Sequence, residues 1–494
     1  MKRWCDIFPE NEIFPSDIPI IGLYRNHEHI PIGEGVKVFF AVCGPVRDGH
    51  DFIDAAIKRG ATAIVGERLP ELPSQVRGLE VSNAAIAWAE AQRNWYDFPD
   101  RALRIFGVTG TSGKTTTVHA IRHLLGERCG CLGTVEIAWT GHVEPAGQTT
   151  PDAQLIFSNL QRMADAGCDS VGLEVSSHGL VQERVFGIPF ECAIFTNLSR
   201  DHLDFHGDMD AYFDAKLRLF DGRNGSVPKC AIINGDDPHG RKLITLFRGQ
   251  KCVTVGKNAT SDWQLLGCES TGFGMTVHFI HAGRFHSFST ALLGTFNAMN
   301  LLHALAAVAN AYPGRLAEFL ERMSTFAPVC GRLQRIAAAG GGEIFIDFAH
   351  SPEALKQTLM ALRQFCKGGL WTLFGCGGDR DRGKRPQMAK IAETNSDFVI
   401  VTDDNPRSEA PEAIVGEIIR GFRGKNYRVI HNRRDAIFFA INSLIKHRGT
   451  LLIAGKGHER QQIFSNRTTP FSDMETATEC LKQIKHGCLK NKIG

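Results

Sequence analysis

The stretch from Gly107 to Thr117, GVTGTSGKTTT, holds the residue types that a phosphate chain needs. Backbone N–H groups of a glycine-rich turn and the positive end of a helix can face the anion. A lysine adds a point charge, and a threonine hydroxyl can hold Mg²⁺. The flanks suit this use: Leu103 to Phe106 reads as a short apolar strand, and Val118 to Leu125 has the apolar spacing of a helix. The general pattern places its first glycine five residues before the Gly-Lys pair, where this chain has Val108 and sets Gly110 closer in. The segment predicts a nucleoside triphosphate site built from Gly110, Thr111, Ser112, Gly113, Lys114, Thr115 and Thr116.

A metal on a triphosphate takes hard oxygen ligands. Thr115 is the first candidate and Glu174, at the end of the apolar run from Ser170, is the second. His202 in RDHLDFHGD is a third, with His206 as a competitor. Ser176 and Ser177 lack the G-x-S-x-G elbow of a nucleophile and read as substrate-binding hydroxyls, with Arg184 as an anion clamp. Lys216 lies on an amphipathic helix and reads, on residue chemistry alone, as a solvated amine with a pKa of ~10.4. A second polar set follows: CGGDRDRGKRP, DDNPR and GKGHER. There Arg380, Lys384 and Arg407 could hold an anionic substrate by bidentate pairing, while Asp404 and Asn405 also suit helix caps.

The elements that position these residues follow an α/β alternation. In residues 1–98, Val36–Val42 and Ala61–Val65 predict strands, and Asp51–Arg59 and Ala84–Trp95 predict helices. Residues 99–330 carry the phosphate loop. Strands are predicted at Ser170–Val175, Cys192–Asn197, Lys229–Asn234 and Lys251–Val255, with helices at Asp210–Leu219 and Asn297–Ala311 and an antiparallel insert over 263–292. In residues 331–494, strands at Glu343–Asp347, Leu370–Gly375, Phe398–Thr402 and Leu451–Ala454 alternate with helices such as Pro352–Phe365. Three of these strands run into the loops dense in Asp, Arg, Lys and Gly. The fold class is α/β with mostly parallel sheets, whose ligands lie at the strands' C-terminal ends.

At 494 residues the chain suggests about three domains. A net charge of +3 implies neither a nucleic-acid nor an anionic-membrane partner. No apolar run reaches spanning length, and MKRWCDIFPE lacks the apolar core of a signal peptide, so the expected compartment is the cytoplasm. The 14 cysteines are scattered without zinc spacing and read as reduced thiols.

GTSGKTT, EVSSHGLVQERV, TNLSRDHLDFHGDMDAYFDAK, GTFNAMNLLHALAA, CGRLQRI, DFAHSPEAL, GCGGDRDRGKRP, TDDNPRSE and AGKGHE together resemble the motifs of the Mur ligases of peptidoglycan synthesis. They are most similar to the members that add the third peptide residue to UDP-N-acetylmuramoyl-L-alanyl-D-glutamate. The shorter glycine loop is the form this family uses. The resemblance implies three domains: an N-terminal one for the uridine nucleotide, a central P-loop ATPase and a C-terminal Rossmann-like domain for the amino acid. It also implies a monomer that uses ATP and Mg²⁺ and forms an amide through an acyl phosphate. Asn297, Asn300, Arg332 and Asp347 would serve ATP beside the loop, and Lys114, Glu174, His202 and Lys216 the catalysis. Thr115, Glu174, His202 and Lys216 would hold Mg²⁺, Lys216 as an N6-carboxylysine whose carbamate turns a cation into an anion. Thr149, Thr150, Ser176, Gln182 and Arg184 would contact the UDP-muramoyl dipeptide. DNPR, Asp404-Asn405-Pro406-Arg407, resembles the version in members that use meso-diaminopimelate, with Arg380, Gly455 and Glu459 as further contacts. The same resemblance leaves L-lysine as an alternative amino acid. A folylpolyglutamate-synthase-like ligase fits less well, since that enzyme lacks the N-terminal unit and DNPR. A nucleotide-gated binding module would not need the second polar set. The family's N-terminal Asp-Ser-Arg is replaced here by Tyr24-Arg25-Asn26-His27-Glu28-His29, so no uridine contact is assigned.

Overall fold

The computed structural model describes residues 2–490 apart from 12, 45–46, 248–250, 273, 338–341 and 367. They fall into two compact units. One comprises Met1–Thr109, Leu125–Ile194 and Asp214–Ala231; the other comprises Gly110–Leu124, Phe195–Phe213 and Ile232–Gly494.

The first unit opens with a five-stranded sheet in the order Lys2–Arg3, Pro19–Tyr24, Val36–Phe40, Ala63–Gly66, Arg77–Glu80. The first pair is antiparallel and the rest are parallel. Phe39, Ala41 and Ile64 pack on Ile53 and Ala56 of the helix Ile53–Lys58. The strands Pro19–Tyr24 and Arg77–Glu80 go beyond the predicted set. Arg77–Glu80 is half polar and forms one margin of the sheet, while Pro19–Tyr24 is apolar but carries Pro19 and Gly22, which weaken a strand signal. A second set of strands follows in the order Phe190–Phe195, Arg104–Thr109, Ser170–Glu174, Cys129–Leu132, Glu136–Trp139, His142–Pro145. Ser170–Glu174 runs parallel to both of its neighbours, and the last two strands turn back antiparallel. Glu174 therefore ends a central strand that is buried throughout.

In the second unit, the loop after Thr109 feeds the helix Lys114–Leu125, which starts at the lysine itself. Cys252–Gly256 runs parallel to Trp263–Ser270. That strand continues through Met275–His281 and Arg284–Thr290 as an antiparallel meander, which is the insert expected over 263–292. The helix Thr295–Ala311 follows. A six-stranded sheet has the order Gln334–Ala337, Glu343–Asp347, Thr450–Ala454, Leu370–Phe374, Phe398–Val401, Tyr427–Val429. It is parallel except for its first pair.

Alternation along the strands explains why helices cover both faces. Phe374, Val399, Val401 and Leu452 point to one side, against Leu355, Leu359, Met388 and Ile418. Leu373, Ile400, Leu451 and Ile453 point to the other, against Ile437, Ile441, Leu444 and Cys480. The strands ending at Ala454, Phe374 and Val401 are adjacent and parallel. Their following loops, the three polar motifs, therefore share one edge of the sheet. The described cysteines are all free thiols, and no described helix is long and apolar enough to cross a membrane.

Candidate functional site

The phosphate loop is held in shape by the strand-end segment that starts at Thr196. Thr111 N–H donates to the Asn197 carbonyl at 2.9 Å, and Ser112 N–H to Asn197 Oδ1 at 3.0 Å. The Ser112 carbonyl accepts from Thr196 Oγ1 at 2.7 Å and from Asn197 Nδ2 at 2.9 Å. Gly110 (φ +144°) and Gly113 (φ +91°) are required, since a Cβ would collide with Thr196 Oγ1 at the first and with Asn300 Oδ1 at the second. Lys114 Nζ folds back over the loop and donates to the carbonyls of Gly110 (2.9 Å) and Thr111 (3.0 Å). Thr115 Oγ1 accepts from Arg332 Nη2 at 2.9 Å, and the Arg332 guanidinium lies 4.5 Å from the centre of the Phe348 ring. Asn297 and Asn300 are buried beside the loop, with Asn300 Nδ2 donating to Asn297 Oδ1 at 3.3 Å. Thr116 is buried on the same first turn.

Asp347 anchors the start of the C-terminal sheet's first loop. Its carboxylate accepts from Leu333 N–H (2.7 Å), Ala349 N–H (2.9 Å) and Thr358 Oγ1 (3.3 Å). Burial pushes its pKa up, against the pull of Arg332 and these donors. His202 sits at φ +54° before the short helix Leu203–His206, with Nε2 3.7 Å from Asp201. Its competitor His206 stacks on Tyr212 at 4.9 Å. Asp201 is itself buried between His350 (3.4 Å) and Lys384 (3.4 Å). Burial opposes its charge, but the bond to His350 and the cations nearby hold its pKa well below the usual range.

In the first unit, Glu174 is fully buried and accepts from Thr134 N–H (2.7 Å) and Thr134 Oγ1 (2.9 Å), which in turn reaches Thr149 Oγ1 at 3.1 Å. Thr150 Oγ1 donates to the Glu174 carbonyl at 2.8 Å and lies 3.0 Å from Ser176 Oγ. Arg184 donates to the Thr150 carbonyl (2.6 Å) and to Gln182 Oε1 (2.7 Å). The five residues predicted for the dipeptide thus form one hydrogen-bonded cluster around the end of the Glu174 strand. Lys216 is 1% exposed on the helix Met209–Leu217. That corrects its reading as a solvated amine: the helix has apolar residues on several sides, so sequence amphipathicity did not tell its wet face from its dry one.

On the C-terminal sheet edge, Arg407 adopts φ +55° and donates from Nη1 to the Gly378 carbonyl at 2.8 Å. Burial, and then the neighbouring Arg380, draw its pKa below the usual value, and both side chains lie against Gly377, Arg407 through Nη1 and Arg380 through Cγ. Arg380 Nη1 bonds the Asp379 carbonyl at 3.1 Å. Lys384 departs from the expected anion trio, because it is buried and paired with Asp201. Asp404 and Asn405 are not helix caps; the next helix, Pro411–Ile419, starts from Ala410 with no side-chain cap. The Asp404 carbonyl accepts from Gln462 Nε2 at 2.8 Å, and Asn405 Nδ2 donates to Glu459 Oε2 at 2.9 Å. Gly455 (φ +113°) must be glycine, since a Cβ would lie 2.5 Å from Asp404 Oδ2. Pro406 packs its carbonyl so closely on Gly378 that no Cβ fits there either. Residue-by-residue reading assigned no role to Arg385, which is buried, donates to Glu409 and Glu417, and reaches the Gly377 carbonyl at 3.0 Å. It assigned none to Lys456 either. Both are cations whose burial leaves no mark in the sequence.

The chain is similar to known families and structures. Residues 34–105 match the family described as "Mur ligase family, catalytic domain", 108–308 the Mur ligase middle domain and 331–457 the "Mur ligase, glutamate ligase domain". A UDP-N-acetylmuramoyl-L-alanyl-D-glutamate–2,6-diaminopimelate ligase of Parasynechococcus marenigrum is 38% identical, over 92% of this chain and 93% of its own length. The ligase of the same name from Xylella fastidiosa is 39% identical, over 94% of each. A solved structure of a diaminopimelate ligase with that name superposes with a TM-score of 0.68 at 30% identity, covering 98% of this chain and 99% of its own. MurF ligase of Thermotoga maritima in complex with ADP shares the fold, with a TM-score of 0.62 at 20% identity over 93% and 97% of the two chains.

Proposed function

From the premise that this chain belongs to the Mur ligase family, we propose that it is the ATP-dependent ligase that joins meso-diaminopimelate to the D-glutamate γ-carboxylate of UDP-N-acetylmuramoyl-L-alanyl-D-glutamate. Its three segments, 1–98, 99–330 and 331–494, serve the uridine nucleotide, ATP and the amino acid in turn. The observation that carries the reading is that Arg380 and Arg407 both lie against Gly377 on the C-terminal sheet edge. Diaminopimelate differs from lysine by one carboxylate, the group that a guanidinium selects by bidentate pairing.

A carboxylate is a poor electrophile and must be activated before an amine can attack it. In the phosphoryl step, a γ-carboxylate oxygen attacks the terminal phosphorus of ATP and ADP departs. The loop Gly110–Thr116, through amides other than those of Thr111 and Ser112 that Asn197 holds, and the Lys114 ammonium bind the phosphates and offset their charge. Lys114 must leave the Gly110 and Thr111 carbonyls to do so. Asn297 and Asn300 lie toward adenine, and Arg332 and Asp347 complete the nucleotide contacts. Thr149, Thr150, Ser176, Gln182 and Arg184 hold the dipeptide. Asp404, Asn405, Pro406, Arg407, Gly455 and Glu459 hold the amino acid with Arg380. Its amine then attacks the acyl phosphate, loses a proton and expels phosphate, leaving the amide.

The donor set fits a divalent cation: Thr115 offers a hydroxyl, Glu174 a buried carboxylate, His202 an imidazole and Lys216, once carbamylated, two oxygens. Mg²⁺ bound by these residues would supply charge neutralisation for the phosphoryl group. We expect a cytoplasmic monomer. The test is phosphate release with ATP and the UDP-muramoyl dipeptide, comparing meso-diaminopimelate with L-lysine. A clear preference for diaminopimelate is the expected result, and equal or better use of lysine overturns the substrate assignment.

A further inference from the structure

Lys456 is fully buried between two glycines, Gly455 at φ +113° and Gly457 at φ +55°, so it cannot meet a substrate itself. Its ammonium has three donors and no acceptor. Nζ donates to Asn405 Oδ1 at 2.9 Å and to Glu459 Oε2 at 2.8 Å. Asn405 Oδ1 also accepts from Ile463 N–H at 3.1 Å, while Asn405 Nδ2 donates to Glu459 Oε2 at 2.9 Å. The three bonds made by Asn405 decide which way its amide faces. Flipped, its NH₂ would oppose the ammonium and the Ile463 N–H, and its carbonyl would oppose a carboxylate. Glu459 is fixed by the same lysine. Both of its bonds fall on Oε2, Oε1 takes none among the described residues, and the side chain remains 30% exposed.

We propose that Lys456 is a positioning residue for the incoming amino acid. It holds Glu459 as an oriented anion and Asn405 with its second amide N–H available. The pair then offers an acceptor for an ammonium group and a donor for a carboxylate, the two halves of an amino-acid zwitterion. The loop that carries Lys456 is also tied to the sheet. Arg433, paired with Asp473 at 2.7 Å, donates to the Ala454 carbonyl at 2.9 Å. The proposal rests on the ligase reading above for its choice of substrate.

The experiment uses the full chain and a double-mutant cycle of Lys456→Met and Glu459→Gln, with phosphate release followed at saturating ATP and dipeptide and varied meso-diaminopimelate. Lys456→Met is expected to raise KM for diaminopimelate about tenfold and to leave KM for ATP within about twofold. In the Glu459→Gln background it should add little, because the lysine acts through that carboxylate. An unchanged KM for diaminopimelate, independent effects that multiply, or equal rises in KM for diaminopimelate and ATP overturn the proposal. Should Lys456→Met not fold, Lys456→Gln, which keeps a donor and drops the charge, carries the cycle. Failure of both to fold marks a structural staple and also overturns it. A wild-type chain that ligates L-lysine and not diaminopimelate overturns the substrate reading instead, and the same cycle is then run on lysine.

Discussion

Single side chains here are defined by burial as much as by type. Lys216 is an ordinary lysine in sequence and a nearly inaccessible one in the fold. A carbamate on its amine would turn that cation into an anion with two oxygens for a metal ion. Lys216→Ala is expected to abolish ligation, with partial recovery when a short carboxylic acid or added CO₂ supplies the missing oxygens; full activity of the variant in assays of phosphate release would refute the role. Arg407 is the opposite case, a residue whose proposed role comes from its type, which suits the extra carboxylate. Hydrogen bonds to charged groups contribute about 1.5–3 kcal/mol, so Arg407→Ala should raise KM for diaminopimelate about tenfold or more and leave KM for ATP nearly unchanged. Lys384 was misread for a physical reason. In sequence it stands beside Arg380 in one charged run, but at the start of the helix Lys384–Asn395 its side chain reaches Asp201. No spacing rule reports that direction.

At the scale of elements, apolar runs made the buried strands plain, and the run from Leu451 to Ala454 became a strand buried on both faces. Short strands such as His142–Pro145 and Tyr427–Val429 carry no such pattern and were not foreseen. The helix Thr295–Ala311 is buried along most of its length and encloses His303. Nδ1 of that histidine donates to the Met299 carbonyl at 2.7 Å, which leaves Nε2 as a lone pair with no partner among the described residues. Burial lowers its pKa to about 4. An unfolded chain would bind a proton there near 6.5, so the folded state holds fewer protons between the two values. Its contribution to stability is complete above about pH 6.5 and is lost as pH falls toward 4, by up to about 3 kcal/mol. Urea titrations at pH 7 and pH 4.5 should show a smaller loss for His303→Leu than for wild type; equal losses would mean the imidazole is not the sensor.

For the molecule as a whole, the α/β class and the family were legible because nine short motifs occur in one order along the chain, and the family matches over 34–457 agree. The polar networks that brace those motifs were not legible, since they join residues tens to hundreds of positions apart. The phosphate loop shows what such bracing means in time. Its amides and carbonyls are already bound to Thr196 and Asn197, its Thr111 hydroxyl to Ser199, and Lys114 is parked on the loop's own carbonyls. The cradle therefore stands formed before any nucleotide arrives, and only one flexible side chain has to swing. Side-chain rearrangement takes nanoseconds, far faster than encounter at micromolar concentrations. Stopped-flow binding of a fluorescent ATP analogue should show a single phase whose rate rises linearly with concentration, and a rate that saturates at a plateau would mean the loop must first isomerise. In Asn197→Ala, where the brace is cut, a slow concentration-independent phase should emerge. Capture would then wait on the protein rather than on diffusion.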